Sequence, residues 1–206
     1  VLVSAAVFWT FSRTAWLAVL VGGLVWAVLA YRPRRSGLLA TVALWGLGGA
    51  TVLLPFVTSD PTGFSNRGHL WIDGLERWLE RPWTGWGPQH YVQLASTADN
   101  LGSSAYHAHN QAMHLLVTGG IPLFALVAST VVWAGVVAVE RARAGVLWPT
   151  VTLAVLLVVA TFEVPLGVVD RGYFYPFVLV PLALILARVP AGPGAVADPE
   201  DADTVT

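Results

Sequence analysis

The chain has 206 residues, 56% of them hydrophobic and only 11% charged, with a net charge of −1 and a mean hydropathy of +0.67. A soluble domain carries about 25% charged residues, so this is the composition of an integral membrane protein, and the near-neutral charge leaves no footprint for nucleic acid. Cysteine is absent and all eleven basic residues are arginine, which excludes disulfides, thiolate metal sites and lysine-based chemistry.

Apolar runs of about 18 residues can cross a hydrocarbon core of about 30 Å. Residues 1–10 read as the end of a helix whose beginning is missing. The chain opens on Val1 without a charged leader and is expected to be the C-terminal part of a longer protein. After a break at Phe11-Ser12-Arg13, residues 14–31 form the first full span, closed by Arg32-Pro33-Arg34-Arg35, and residues 38–57 run back. A polar stretch follows. Residues 121–139 then cross again and stop at Glu140-Arg141-Ala142-Arg143, and runs at 146–165 and 173–187 form a final pair joined by a short connection carrying Asp170 and Arg171. The fold class expected is all-α: a multi-pass transmembrane helical protein with a long extracytoplasmic loop containing short amphipathic helices. The divisions are transmembrane helices over 1–57, the loop over 58–120, transmembrane helices over 121–188 and a disordered cytoplasmic tail over 189–206.

Orientation follows from the arginine-rich turns, because positive charge in short loops favours the cytoplasmic side. Arg32, Arg34, Arg35, Arg141, Arg143 and Arg188 fall on one side of this topology. The polar stretch and the Ser12-Arg13 corner then face outward. The acidic, proline-containing tail with Asp198, Glu200, Asp201 and Asp203 is too polar to fold alone.

The polar stretch holds all five histidines, His69, His90, His107, His109 and His114. Imidazole switches between proton donor and acceptor near neutral pH, so this segment is the candidate site. Leu70, Trp71, Leu75, Trp78 and Leu79 recur at helical spacing among Asp73, Glu76, Arg77 and Glu80, which predicts an amphipathic helix over 69–81. Trp71, Trp83 and Trp86 suit anchoring at a membrane interface, with stacking on sugar or polyprenyl chain as the other use. Pro82 ends the helix, and the glycines and prolines of 83–88 demand a tight turn. This turn lacks the lysine of a nucleotide loop and reads as a shape element. From Gln111 the pattern is helical again, up to a break or kink at Gly119-Gly120-Ile121-Pro122.

Three strings in this order resemble a known family. Ser12-Arg13-Thr14-Ala15 is similar to the first signature of the O-antigen ligase and polymerase family. Asn66-Arg67-Gly68-His69 with Trp71, followed by Arg81-Pro82-Trp83-Thr84-Gly85-Trp86-Gly87-Pro88, resembles its loop signature, and His107-Ala108-His109-Asn110 with Gly119-Gly120-Ile121-Pro122 resembles the third. The resemblance covers residues 4–188. It implies a glycosyltransferase of the bacterial cell membrane that moves a glycan from undecaprenyl pyrophosphate to a lipid or glycan hydroxyl acceptor on the outer face, with no cofactor and no metal. Ligase and polymerase share these motifs.

The residues make chemical sense of that implication. Pyrophosphate carries dense negative charge, and arginine offers a permanent charge with a planar fork of donors. Arg13 and Arg67 are expected to hold it, His109 to take the proton of the acceptor hydroxyl, and His107 and Asn110 to contribute to substrate binding. A single displacement inverts the anomeric centre. The plainer readings are interfacial anchoring for Arg13, a solvated surface charge for Arg67, and local ion pairing for Arg77 and Arg81 with Glu76 and Glu80. His69 reads as a local hydrogen-bonding residue.

Two other classes compete. His107 and His109 with His114 nearby could share a zinc ion, making a membrane metallohydrolase, although the loop has no His-x-x-x-His helix. A transporter of lipid-linked glycan would bind pyrophosphate without reacting. Intramembrane charges mark such pathways, and here only Glu163 and Arg171 lie near one.

Overall fold

The computed structural model describes residues 12–97, 107–166 and 175–187, and these contain helices and no strand. The expectations for residues 1–10, for Asp170 and Arg171, for Arg188 and for the 189–206 tail lie outside the described residues. Helix α1 is Arg13–Tyr31, α2 Ser36–Val57, α3 Gly68–Glu80, α4 His90–Thr97, α5 Gln111–Arg143, α6 Trp148–Phe162 and α7 Tyr175–Leu186. Short helix α4 was not legible in the sequence, and α3 follows the amphipathic pattern.

Among the described residues, three stretches are long and apolar enough to cross a membrane: Arg13–Tyr31, Pro33–Val57 and Gln111–Arg143. Helix α6 is shorter than the 146–165 run suggested. Its 15 residues reach about 22 Å at 1.5 Å per residue, because Glu163 turns extended, with φ −141° and ψ 174°, ahead of Pro165, whose ring disfavours a helix before it. The carboxylate is thereby released from the helix end.

Lipid offers no hydrophobic drive between helices, so close packing of small residues must supply it. Ala18, Ala40, Ala134, Ala138, Ala142 and Ala154 are buried accordingly, while Leu20, Leu24, Trp26, Trp45, Leu126 and Trp133 are exposed on the outside of the bundle. Hydroxyls add interhelical bonds. Ser36 Oγ donates to Ala142 O at 2.7 Å near the arginine-rich end, and Thr51 Oγ1 and Thr161 Oγ1 pair at 2.8 Å near the other.

The kink expected in α5 lies at Gly120, with φ 65° and ψ −165°, a region essentially restricted to glycine. Pro122 brings no N–H to the carbonyl of Thr118, and Ile121 N–H donates away from the helix to Pro82 O at 2.8 Å. The tight turn takes up both orphaned carbonyls: Trp86 N–H donates to Val117 O at 2.7 Å and Gly87 N–H to Thr118 O at 3.0 Å. A Cβ on Gly120 would lie 2.5 Å from the Trp83 carbonyl. The glycine-rich turn and the Gly-Gly-Ile-Pro break are therefore two halves of one joint, which fixes the polar segment to the start of a spanning helix.

Candidate functional site

Arg67 follows an unusual turn. Phe64, Ser65 and Asn66 all have positive φ, 54°, 61° and 64°, and left-handed helical backbone costs about 1–2 kcal/mol per non-glycine residue. Several contacts offset this strain. Asp60 Oδ1 accepts from Thr62 N–H at 2.9 Å and from Thr62 Oγ1 at 2.8 Å, holding that carboxyl below the usual range. The Phe64 ring sits 5.0 Å from Trp71 and 6.3 Å from Phe162. Gly68 passes so close to Asp60 O that a Cβ would collide with it, so glycine is required immediately after Arg67. Strain of this kind clusters at functional sites because the surroundings must over-determine it.

His109 is placed with similar rigidity. Its φ is 47°. On one side, the fully buried Trp71 donates its Nε1–H to Ala108 O at 2.8 Å. On the other, Asn110 caps α5 by accepting from Met113 N–H at 2.9 Å. The Asn110 amide nitrogen donates to Thr51 O at 2.9 Å and Thr161 O at 3.1 Å. Both carbonyls lack a helical partner, the first because Pro55 has no N–H and the second because α6 ends. Asn110 is fully buried with its amide committed to the protein. Through these bonds it joins α2, α5 and α6 beneath the site.

The two halves meet at Glu163. Its Oε1 accepts from Arg67 Nη2 at 2.8 Å, and its Oε2 lies 3.2 Å from His109 Nδ1. Gln111 holds the adjoining backbone, accepting from Leu166 N–H at 2.8 Å and donating to Leu166 O at 3.3 Å. Burial pushes the Glu163 carboxyl up, but the His109 hydrogen bond and the charges of His109, Arg67 and His107 outweigh it and hold the group below the usual carboxylate range. A carboxylate beside Nδ1 favours a proton on that ring nitrogen and so orients the imidazole. His107 stands beside it, rings 4.1 Å apart, and its Nδ1 accepts the His109 backbone N–H at 3.2 Å. Ligand atoms of His107, His109 and Glu163 all lie within 4.8 Å of one another.

Arg13 reaches the same place from α1. Its Nη1 donates to Ser65 Oγ at 3.3 Å, and an open cleft of about 170 Å³ is lined by Arg13, Thr14, Leu17, Phe64, Ser65, Arg67 and Phe162. The structure thus brings Arg13 and Arg67 to one cleft and ties Arg67 to His109 through a carboxylate. A cleft lined by two arginines suits an anion.

The sequence profile described as O-antigen ligase matches residues 1–128. The chain belongs to the O-antigen ligase family. An O-antigen ligase of Pseudomonas aeruginosa is 27% identical over 188 residues, covering 86% of this chain and 43% of that protein. The chain therefore spans less than half the length of this relative. No solved structure matches it. Membership of this family and the apolar helices together support a membrane protein whose described residues are helical.

The residues matched by the O-antigen ligase profile include Arg13, Arg67 and His109 but end before Glu163. In the sequence Glu163 stands out only as a charge near a membrane span, a feature weighed for a transporter. A lone carboxylate at the end of an apolar run was the signal available. Other expectations change. Trp71 is buried in the loop rather than placed at an interface, whereas Trp83 is exposed. Arg81 stacks its guanidinium 4.0 Å over the Trp86 ring instead of pairing with Glu76 or Glu80. His69 has its Nε2 buried without a hydrogen-bond partner, so its side chain does not supply the local bond expected. His114 is buried behind the site, stacked on Tyr91 at 5.2 Å, so the third group beside His107 and His109 is Glu163.

Proposed function

We propose that the protein transfers a glycan from a polyprenyl pyrophosphate carrier to a hydroxyl acceptor at the extracytoplasmic face of the bacterial cell membrane, as an O-antigen-type ligase or polysaccharide polymerase. The carrying observation is the bridge from Arg67 through Glu163 to His109, which puts an anion-binding group and an oriented imidazole on one carboxylate. Residues 58–120 supply most of the outer site, Arg13 and Glu163 join it from the ends of α1 and α6, and the spans supply the scaffold.

In this reading Arg13 and Arg67 bind the donor pyrophosphate, and Glu163 keeps the His109 lone pair on Nε2. The acceptor hydroxyl gives its proton to Nε2 as its oxygen bonds to the anomeric carbon. The bond from that carbon to the pyrophosphate oxygen breaks, its electron pair leaves with the lipid, and the arginines stabilise the charge that develops there. One displacement inverts the anomeric configuration. Neither a nucleotide sugar nor a metal takes part. His107 steadies His109 through its backbone N–H and lies where an acceptor sugar would contact it.

The test is consumption of a labelled polyprenyl-pyrophosphate glycan by membranes carrying the full-length protein, with a chelator present. Glycan appearing on a hydroxyl acceptor supports the reading. Donor that stays intact, with all components present, overturns it, and a ladder of products identifies a polymerase.

A further inference from the structure

The side chains of His107, His109 and Glu163 present a second chemistry. Two imidazoles and one carboxylate with ligand atoms within 4.8 Å of one another are a zinc donor set, of the kind that water completes as fourth ligand. We propose that these three residues form an inhibitory site for a divalent transition cation, zinc above all, taken from the medium that bathes the polar face.

The geometry limits where an ion can sit. Zinc binds imidazole nitrogen at about 2.0–2.1 Å and carboxylate oxygen at about 2.0–2.2 Å, so the ligand atoms must draw together slightly. His107 and Glu163 sit at loop positions outside any helix, and side-chain rotation can supply the adjustment. His107 Nδ1 accepts the His109 backbone N–H at 3.2 Å, a neutral bond that ligation through Nε2 gives up. Harder cations such as magnesium prefer all-oxygen shells and are not suited to two imidazoles.

Occupancy excludes catalysis on this reading. Glu163 Oε1 is 2.8 Å from Arg67 Nη2, and an ion with two positive charges on that carboxylate repels the guanidinium and breaks the pair. An imidazole whose lone pair is on the metal cannot also take a proton from the acceptor. The free and metal-bound centres are therefore alternatives, and external zinc acts as a brake on transfer. The inhibitory half rests on the proposed role of His109; the binding half does not.

The experiment uses the purified full-length protein, stripped with chelator, and titrates it with cobalt and zinc. Expected are one cobalt per chain with visible ligand-field absorption, displacement by zinc, and affinity weakened at least about tenfold by His107→Ala and by Glu163→Gln, as residues that touch the ion matter at least as much as those that support them. In the same preparation zinc should inhibit glycan transfer over the concentration range in which it binds, reversibly with chelator. No stoichiometric binding, or binding unchanged in both variants, overturns the site while leaving the transfer reading intact. Transfer that requires zinc overturns the inhibitory role and the metal-free role of His109 together.

Discussion

Arg67 and Glu163, 96 residues apart in the chain, meet at 2.8 Å between Nη2 and Oε1. Neither residue has a reason to be there from its own surroundings. Arg67 is delivered by a strained left-handed turn and Glu163 by the early end of α6. A partly buried pair of this kind is weak evidence for stability, and here the second carboxylate oxygen faces His109, so its use is better sought in function.

Glu163→Gln tests that use. An amide cannot balance the arginine charge and can turn its NH₂ towards Nδ1, which favours the wrong tautomer of His109. We expect kcat for glycan transfer to fall about 10²-fold or more, by analogy with other carboxylate-oriented histidines, with a smaller change in donor KM. Steady-state kinetics on membranes checks this, and Glu163→Asp should recover part of the loss. Unchanged kcat in the glutamine variant contradicts the positioning role.

Asn110→Ala separates support from binding. The change removes an N-cap, about 1 kcal/mol, and leaves two buried carbonyls at Thr51 and Thr161 without their donor, about 1 kcal/mol each or more. The expected loss is about 2–4 kcal/mol, read as a lowered unfolding temperature in detergent. A variant of wild-type stability with weakened substrate binding would instead restore Asn110 to the substrate surface.

Gly120→Ala should break the joint between the tight turn and α5. Alanine is strained at φ 65° and ψ −165°, by about 2 kcal/mol, and its Cβ meets the Trp83 carbonyl. Proteolysis of the polar loop should accelerate while the spanning helices stay inserted. Protection equal to wild type counts against the joint.

His90 gives a pH dependence. Burial pushes its pKa below the ordinary 6.5, with Arg77 adding to the shift and Asp73 and Glu80 opposing it. The folded imidazole therefore resists a proton that the unfolded chain accepts. Its contribution is neutral above about pH 6.5 and becomes a loss of stability as pH falls below that value. The unfolding temperature of wild type should drop between about pH 7 and pH 5 more than that of His90→Gln. Parallel profiles would show that His90 does not carry the effect.

Much of this could be read in the sequence because it is local. The spans declare themselves by composition, α3 by the recurrence of Leu70, Trp71, Leu75 and Trp78, and Arg13, Arg67 and His109 by short motifs. What could not be read is long-range. Glu163 acquires its meaning only from partners 96 and 54 residues away, and in its own neighbourhood it is a single acid among apolar residues. Asn110 stands beside a histidine in a motif, which suggests chemistry. Its bonds to Thr51 O and Thr161 O become visible only once the helices are packed. The left-handed turn was hidden for another reason: Phe64 and Ser65 have little tendency towards that conformation, and tertiary contacts with Trp71 and Phe162 impose it.

The most direct test measures donor binding and glycan transfer separately in the full-length protein carrying Arg67→Ala, Arg67→Lys or His109→Ala. Arg67→Ala should lose binding of the polyprenyl-pyrophosphate donor, and Arg67→Lys should fail nearly as badly, since a point charge does not reproduce a planar fork of donors. His109→Ala should bind donor at near wild-type affinity and transfer nothing measurable. Transfer by His109→Ala, or full donor binding by Arg67→Ala, would contradict the roles given to the two residues.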